Sequence, residues 1–399
     1  MKTIITFIKK ESVLFIATIL AIISAFIVTP SAAYLNYIDW RTLGILLSLM
    51  AVMSGFKRNG LFKVLGEKVL SITRNVYQLS FALVFLCFFT SMLITNDVSL
   101  ITFVPFAIMT LTSARREDLI MSIIILQTVA ANLGSMLLPI GNPQNLYLYQ
   151  QSGMNILSFI KLMLPYTLVS GVLILIATFI IVKLKNTSSL STISKIATTN
   201  TSNSTAAQIA HVSKNNIIDT NTAKLGTSTT TKNIVYGLLF ILCLLVVLHI
   251  LPFYAVLIIV FITIFILDKT ALKEVDYCLL LTFIALFIFT GNIGEITSFT
   301  NVLKANVEGN EIVIGVAASQ LISNVPAALL LSDFTYNLDK LIIGVNLGGL
   351  GTLIASMASL ISYKFYSNSL NNSKEKYVVA FSLVNIVFLA ILYITTYIF

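Results

Sequence analysis

Apart from residues 61–70 and 296–307, where they keep to one face at helical spacing, apolar residues in this chain neither alternate with polar ones at a spacing of two nor keep to one helical face. They come in long runs. Stretches at about residues 12–28, 42–56, 157–182, 234–250, 253–267, 277–292 and 377–397 hold almost no charge. Runs of ~17–25 residues are what ~30 Å of hydrocarbon asks of a helix, whereas a transmembrane barrel would show alternation. The pattern predicts an all-α polytopic membrane protein. Four further runs, residues 76–113, 119–150, 311–334 and 340–363, are interrupted by polar residues, glycine or proline, and the organisation rests on them.

Between residues 76 and 112 the one formally charged residue is Asp97, beside Thr95 and Asn96. A carboxylate at membrane depth is a functional-site hypothesis by default. The other reading makes Asp97 a turn residue at a membrane surface with a full crossing on either side. Arg74 precedes this run and Arg115 and Arg116 follow it. By the positive-inside rule both ends are then cytoplasmic, so 76–113 is expected to be a re-entrant hairpin with Thr95, Asn96 and Asp97 at its tip. In 119–150 the interruptions are Asn132, Gly134, Pro139, Gly141, Asn142, Pro143, Gln144 and Asn145. Two prolines and two glycines cannot sustain one helical ladder, and freed backbone groups at depth are tolerated only where protein or a water-filled cavity satisfies them. A broken helix is expected, with an external loop after a short helix as the alternative.

The second half repeats this order. Leu-Ile-Thr-Asn at 93–96 matches Leu-Ile-Ser-Asn at 321–324, and Asn-Leu-Gly recurs at 132–134 and 346–348. Residues 1–182 therefore form a first repeat, with hairpin 76–113 and broken helix 119–150. Residues 183–233, rich in Ser, Thr, Asn and Lys, have the composition of a polar cytoplasmic linker. Residues 234–399 hold an extra helix and a second repeat, with hairpin 311–334 and broken helix 340–363. An odd number of crossings between the hairpins makes the repeats inverted, with about nine full crossings plus two hairpins in all.

Composition agrees. Hydrophobic residues make up 57% and charged residues 10%. The net charge of +9 lies in loops, where it sets orientation rather than binding nucleic acid. Lys9 and Lys10 before the first apolar run place the N-terminus in the cytoplasm. Ser31, Ala32 and Ala33 resemble a cleavage site, but the apolar run is longer than a signal peptide's, so a retained helix is expected. Two histidines and three cysteines assemble neither a transition-metal cluster nor a disulfide framework. No nucleophile, acid and base stand together, so no enzyme and no cofactor are expected.

Hairpin tips and helix breaks present free N–H groups and positive dipole ends, which suit an anion. Oxygens of Thr95, Asn96, Ser323 and Asn324 suit a hard cation such as sodium. Asp97 has Val325 as its counterpart, so it could complete a cation site, carry a proton or repel a dianion. The candidate site is Thr95, Asn96, Asp97, Asn132, Gly141, Asn142, Pro143, Asn145, Ser323, Asn324, Val325, Pro326, Asn346, Gly348, Thr352 and Ser356.

At these residues the chain resembles the ion transporter superfamily of divalent-anion:sodium symporters, arsenite permeases, citrate carriers and certain sodium:proton antiporters. Thr95-Asn96 and Ser323-Asn324 match two of the three positions of the symporters' Ser-Asn-Thr tip signature. Thr95-Asn96-Asp97-Val98 and Gly141-Asn142-Pro143-Gln144-Asn145 look closer to the arsenite-permease branch. The resemblance implies sodium or proton coupling, elevator-like movement of the hairpin-bearing part, and a homodimer. The expectation is a secondary transporter of a small anion, an inorganic oxyanion or a di- or tricarboxylate, in the cytoplasmic membrane; the alternative is a sodium:proton antiporter.

Overall fold

The computed structural model describes residues 11–197, 227–369 and 374–399. In the first half, α1 (Ser12–Ala25) and a single turn at Tyr34–Tyr37 lead to α2 (Trp40–Arg58) and the shorter α3 (Leu61–Leu70). Then come α4 (Val76–Ile94), α5 (Asn96–Ser113) and α6 (Ile120–Gly134). Two 3₁₀ turns, Ser135–Leu137 and Pro139–Gly141, separate α6 from α7 (Pro143–Ser152), and α8 (Ile156–Ala197) follows. The second half opens with α9 (Thr227–Val247), α10 (Phe253–Leu267), α11 (Tyr277–Gly294) and α12 (Thr297–Val307). It closes with α13 (Glu311–Ile322), α14 (Asn324–Ser332), α15 (Leu338–Leu347), α16 (Met357–Ser369) and α17 (Lys374–Thr395).

Local chemistry starts these helices where it should. Asp39 accepts from the Thr42 N–H at 3.0 Å ahead of α2, Asn75 from Gln78 at 2.9 Å ahead of α4, and Asp276 from Leu279 at 2.9 Å ahead of α11. Each side chain satisfies one of the free donors at a helix N-terminus.

Helices α4 and α5 fold back on each other as a hairpin. The Gln127 amide on α6 donates to Leu83 O at 3.1 Å and to Phe103 O at 3.4 Å, one carbonyl on each arm. Nearer the tip, the Thr90 and Ser99 hydroxyls meet at 2.9 Å. Helices α13 and α14 form the second hairpin, closed at its base by the Thr335 hydroxyl donating to Glu311 Oε1 at 2.9 Å. The two differ in reach. Arms of 19 and 18 residues in the first span about 28 Å at 1.5 Å per residue, while arms of 12 and 9 residues in the second span about 18 and 14 Å.

Seven described stretches are long and apolar enough to cross a membrane, both arms of the first hairpin among them. This is a multi-pass membrane protein. Helix α6 packs against α4, α5, α8 and α16, so that most of its apolar residues and its polar Gln127, Thr128 and Asn132 are alike buried. The hairpins and broken helices form one group, in which α13 and α14 pack on α15 and α7 packs on α14 and α15. Helices α1, α2, α9, α10 and α11 form a second group, which meets the first where α2 touches α7 and α11 touches α14. Arg58 at the end of α2 bonds Asp268 at 2.8 Å and Glu274 at 2.9 Å, tying it to the turn before α11.

Part of the expected linker, 183–233, is helical: α8 continues to Ala197 and α9 starts at Thr227. Hydropathy reports depth, not helicity, so the apolar run ends at Val182 while the ladder does not. Residues 198–226 lie outside the described residues. The second broken helix also extends beyond residue 363, to Ser369.

Candidate functional site

Thr95 joins α4 to α5 with φ 70° and ψ 151°, and Ser323 joins α13 to α14 with φ 75° and ψ 154°. The two tips thus share one backbone conformation, in a region that is essentially glycine's. After each kink a helix begins at asparagine, α5 at Asn96 and α14 at Asn324. Four helix N-termini, those of α5, α7, α14 and α16, lie at the tips and breaks, and so do the C-termini of α4, α6, α13 and α15. Positive ends and carbonyl-rich ends are therefore mixed in one region, able to meet an anion and a cation together.

Side chains join these ends. Asn96 Nδ2 donates to Asn132 Oδ1 at 3.1 Å, and Ser356 Oγ donates to the same oxygen at 3.1 Å. Asn132 Nδ2 in turn donates to Gly349 O at 3.3 Å, crossing from the first broken helix into the second. The reverse crossing is made by Asn346, whose Nδ2 donates to Asn145 Oδ1 at 2.6 Å and to Ile342 O at 2.7 Å. Asn142 Nδ2 reaches Asn346 Oδ1 at 3.3 Å and Ser135 Oγ at 3.2 Å, and Asn142 Oδ1 caps α7 by accepting from the Asn145 N–H at 2.9 Å. At the second tip the Asn324 N–H donates to Ala355 O at 3.0 Å. All six asparagines named here are at most 5% exposed.

Thus Asn96, Asn132, Asn142, Asn145, Asn346 and Ser356 belong to one hydrogen-bonded cluster, and Ser323 with Asn324 adjoins it through residue 355. Pro143 and Pro326 sit in first helical turns, where a missing N–H leaves no gap. Val325 is buried apolar packing, and Gly141 ends the second 3₁₀ turn against Ser135. Gly348 and Thr352 are held by a residue the sequence reading passed over. Gln320 Nε2 donates to Gly348 O at 2.9 Å and Leu350 O at 2.8 Å, and its Oε1 accepts from the Thr352 N–H at 2.9 Å. Gly351 between them has φ 106°, and a side chain there would run into Gln320. The signal available was a lone amide in an apolar run three residues before Ser323. Gln127, five residues before Asn132, is the other omission.

The Asp97 carboxylate stands apart from this network. The residue's N–H donates to Asn96 Oδ1 at 3.0 Å, but its own Oδ1 is buried and accepts no hydrogen bond. No group of three or more His, Cys, Asp or Glu among the described residues is placed to hold a metal ion.

Comparison with known proteins adds a lineage to this geometry. The sequence profile of the citrate transporter family matches residues 3–340. The uncharacterized transporter MJ0456 of Methanocaldococcus jannaschii is 33% identical over 344 residues, 85% of this chain and 84% of that protein. The inner membrane protein YbiR of Escherichia coli is 28% identical over 333 residues, 82% of this chain and 80% of that protein.

Proposed function

Because the chain belongs to the citrate transporter family, we propose that it is a secondary active transporter of a small anion, a carboxylate or an inorganic oxyanion, coupled to sodium or protons. The observation that carries this reading is the crossed pair of hydrogen bonds, Asn132 to Gly349 and Asn346 to Asn145. They join the two helix breaks, to which the tips attach through Asn96 and Asn324, at one buried place whose described hydrogen-bonding side chains are amides and hydroxyls.

In such a site the anion is held by helix N-termini and amide N–H groups rather than by a basic side chain. Carbonyl and side-chain oxygens at Thr95, Asn96, Ser323 and Asn324 supply the ligands for sodium, and binding the cation beside the anion offsets their charges. Movement of the hairpin-bearing group against the second group would expose the site to each face in turn. The chain acts in the cytoplasmic membrane, N-terminus inward, as a homodimer.

The test is uptake of radiolabelled citrate into proteoliposomes under an imposed sodium or proton gradient, with succinate, phosphate and arsenite as competitors. Accumulation that needs a gradient, and that is lost in Asn132→Leu and Asn346→Leu proteins of normal assembly, supports the reading. Equal uptake without a gradient would sink it.

The unpartnered Asp97 oxygen favours a second reading, exchange of sodium for protons with Asp97 as the carrier. In that case proton movement follows sodium with no anion present and stops in Asp97→Asn. Anion uptake that survives Asp97→Asn unchanged would remove Asp97 from the mechanism.

A further inference from the structure

Arg41 stands where a cation is poorly placed. It is the second residue of α2 (Trp40–Arg58), at a helix end that carries about half a positive charge and disfavours another. The neighbouring Asp39 carboxylate accepts from the Thr42 N–H at 3.0 Å and the Thr42 hydroxyl at 2.5 Å, so its hydrogen bonds go to the helix start and not to the guanidinium. One guanidinium nitrogen, Nη2, donates to Val246 O at 3.2 Å, near the end of α9. That bond accounts for part of the placement. The Nε–H is buried and donates to nothing.

Around the guanidinium, elements of both groups of helices meet. Tyr149 on α7 and His249 after α9 have ring centroids 6.1 Å apart, and the Arg41 charge acts on both side chains. Burial first, and then this charge, push the His249 imidazole below its ordinary 6.5. Next to Tyr149, Gln150 has both polar side-chain atoms buried without partners. A buried guanidinium N–H with no acceptor is an expensive arrangement in a dry protein, and an arginine edge is the side chain best shaped for carboxylates and oxyanions.

We propose that Arg41 forms an anion subsite at the junction of α2 and α7, a docking point for the transported anion before it reaches the asparagine cluster. It rests on the anion-transport reading above. The subsite takes a carboxylate or oxyanion, with the Arg41 Nε–H as its charged donor. A lipid phosphate offers the same chemistry, and the experiment separates the two sources.

The test is thermal stabilisation of the purified full-length protein titrated with citrate, succinate, phosphate and sulfate. Wild type, Arg41→Gln, Arg41→Lys and Asn132→Ala are compared, first without anion to show that each is folded. The half-saturating concentration of the stabilising anion is expected to rise ~10- to 100-fold in Arg41→Gln, the value of one hydrogen bond to a charged donor, and to recover most of the way in Arg41→Lys. A wild-type titration in Arg41→Gln, with binding lost in Asn132→Ala, would overturn the subsite and leave the transport reading standing. Stabilisation by none of the four anions in wild type would take down both. In a parallel arm with anionic phospholipid, Arg41-dependent stabilisation by lipid alone would overturn the subsite in favour of a headgroup site.

Discussion

Replacing Thr95 with glycine tests whether the hairpin tips are held under strain. Thr95 at φ 70°, ψ 151° and Ser323 at φ 75°, ψ 154° occupy backbone space that costs a residue with a side chain ~1–3 kcal/mol. Glycine removes that cost but gives the unfolded chain more freedom, worth ~0.5–1 kcal/mol in the opposite direction. Thr95 makes no side-chain capping bond, so no cap hydrogen bond is lost. The net expectation for Thr95→Gly is a gain of ~0.5–2 kcal/mol. Ser323 also gives up contacts to Ala355 O and Asn324 Oδ1, both at 3.5 Å, each at the weak limit for a hydrogen bond. Ser323→Gly should therefore stabilise less than Thr95→Gly. Thr95→Ala keeps the strain and should stay near wild type. The assay is the midpoint of unfolding by sodium dodecyl sulfate in mixed micelles, paired with uptake, which should slow when the tip is relaxed. A Thr95→Gly protein less stable than wild type, or no more stable than Thr95→Ala, would refute the argument.

Three other outcomes follow from the packing. In a double-mutant cycle, Asn145→Leu and Asn346→Leu should couple by ~0.6–1.7 kcal/mol, the range measured for hydrogen bonds between membrane helices; additivity within error in the same unfolding assay would mean that the 2.6 Å bond carries no weight. Gly134→Ala should destabilise by ~1–3 kcal/mol, because the added carbon would collide with Phe88 O and lie 2.7 Å from Ser91 Oγ, whereas Gly237→Ala, with nothing within 4 Å, should be neutral or stabilising in thermal denaturation. Burial by itself would raise the Asp268 carboxyl, but bonds from Thr270 and Arg58 outweigh it and hold the group below 3.8. Its stabilisation is thus present above that pH and lost as pH falls through the lowered value, so the stability gap between wild type and Asp268→Asn should close on acidification below about pH 4, as followed by melting temperature.

Much of the site was legible because membrane sequence tolerates few interruptions. Thr95-Asn96 and Ser323-Asn324 stand in runs with no other reason to break, and Pro139, Gly141 and Pro143 cannot propagate a ladder. Matching Asn132 with Asn346 anticipated that each would sit at the end of a broken helix, but which partner each would reach was not in the pattern. Asn132 bonds a backbone carbonyl and Asn346 a side chain, a choice made by how the breaks face each other. Gln127 and Gln320 were invisible for another reason. One amide in an apolar run looks like a tolerated polar residue until three dimensions place carbonyls of two chain segments beside it. Arg41 was hidden in the same way, as one more basic residue near a membrane boundary.

The crossed bonds also constrain how such a chain could have arisen. A polypeptide made of residues 1–197 would carry Asn132 and Asn145 without Gly349 or Asn346 to meet them, and its counterpart would be deficient in the mirror sense. A half-length ancestor would then have been useful only in company, as a pair of chains each finishing the other. Fusion of two such genes would have added no new chemistry. It would have made a one-to-one partnership permanent, after which the two halves could diverge; Asp97 in one and Val325 at the matching position of the other are such a difference.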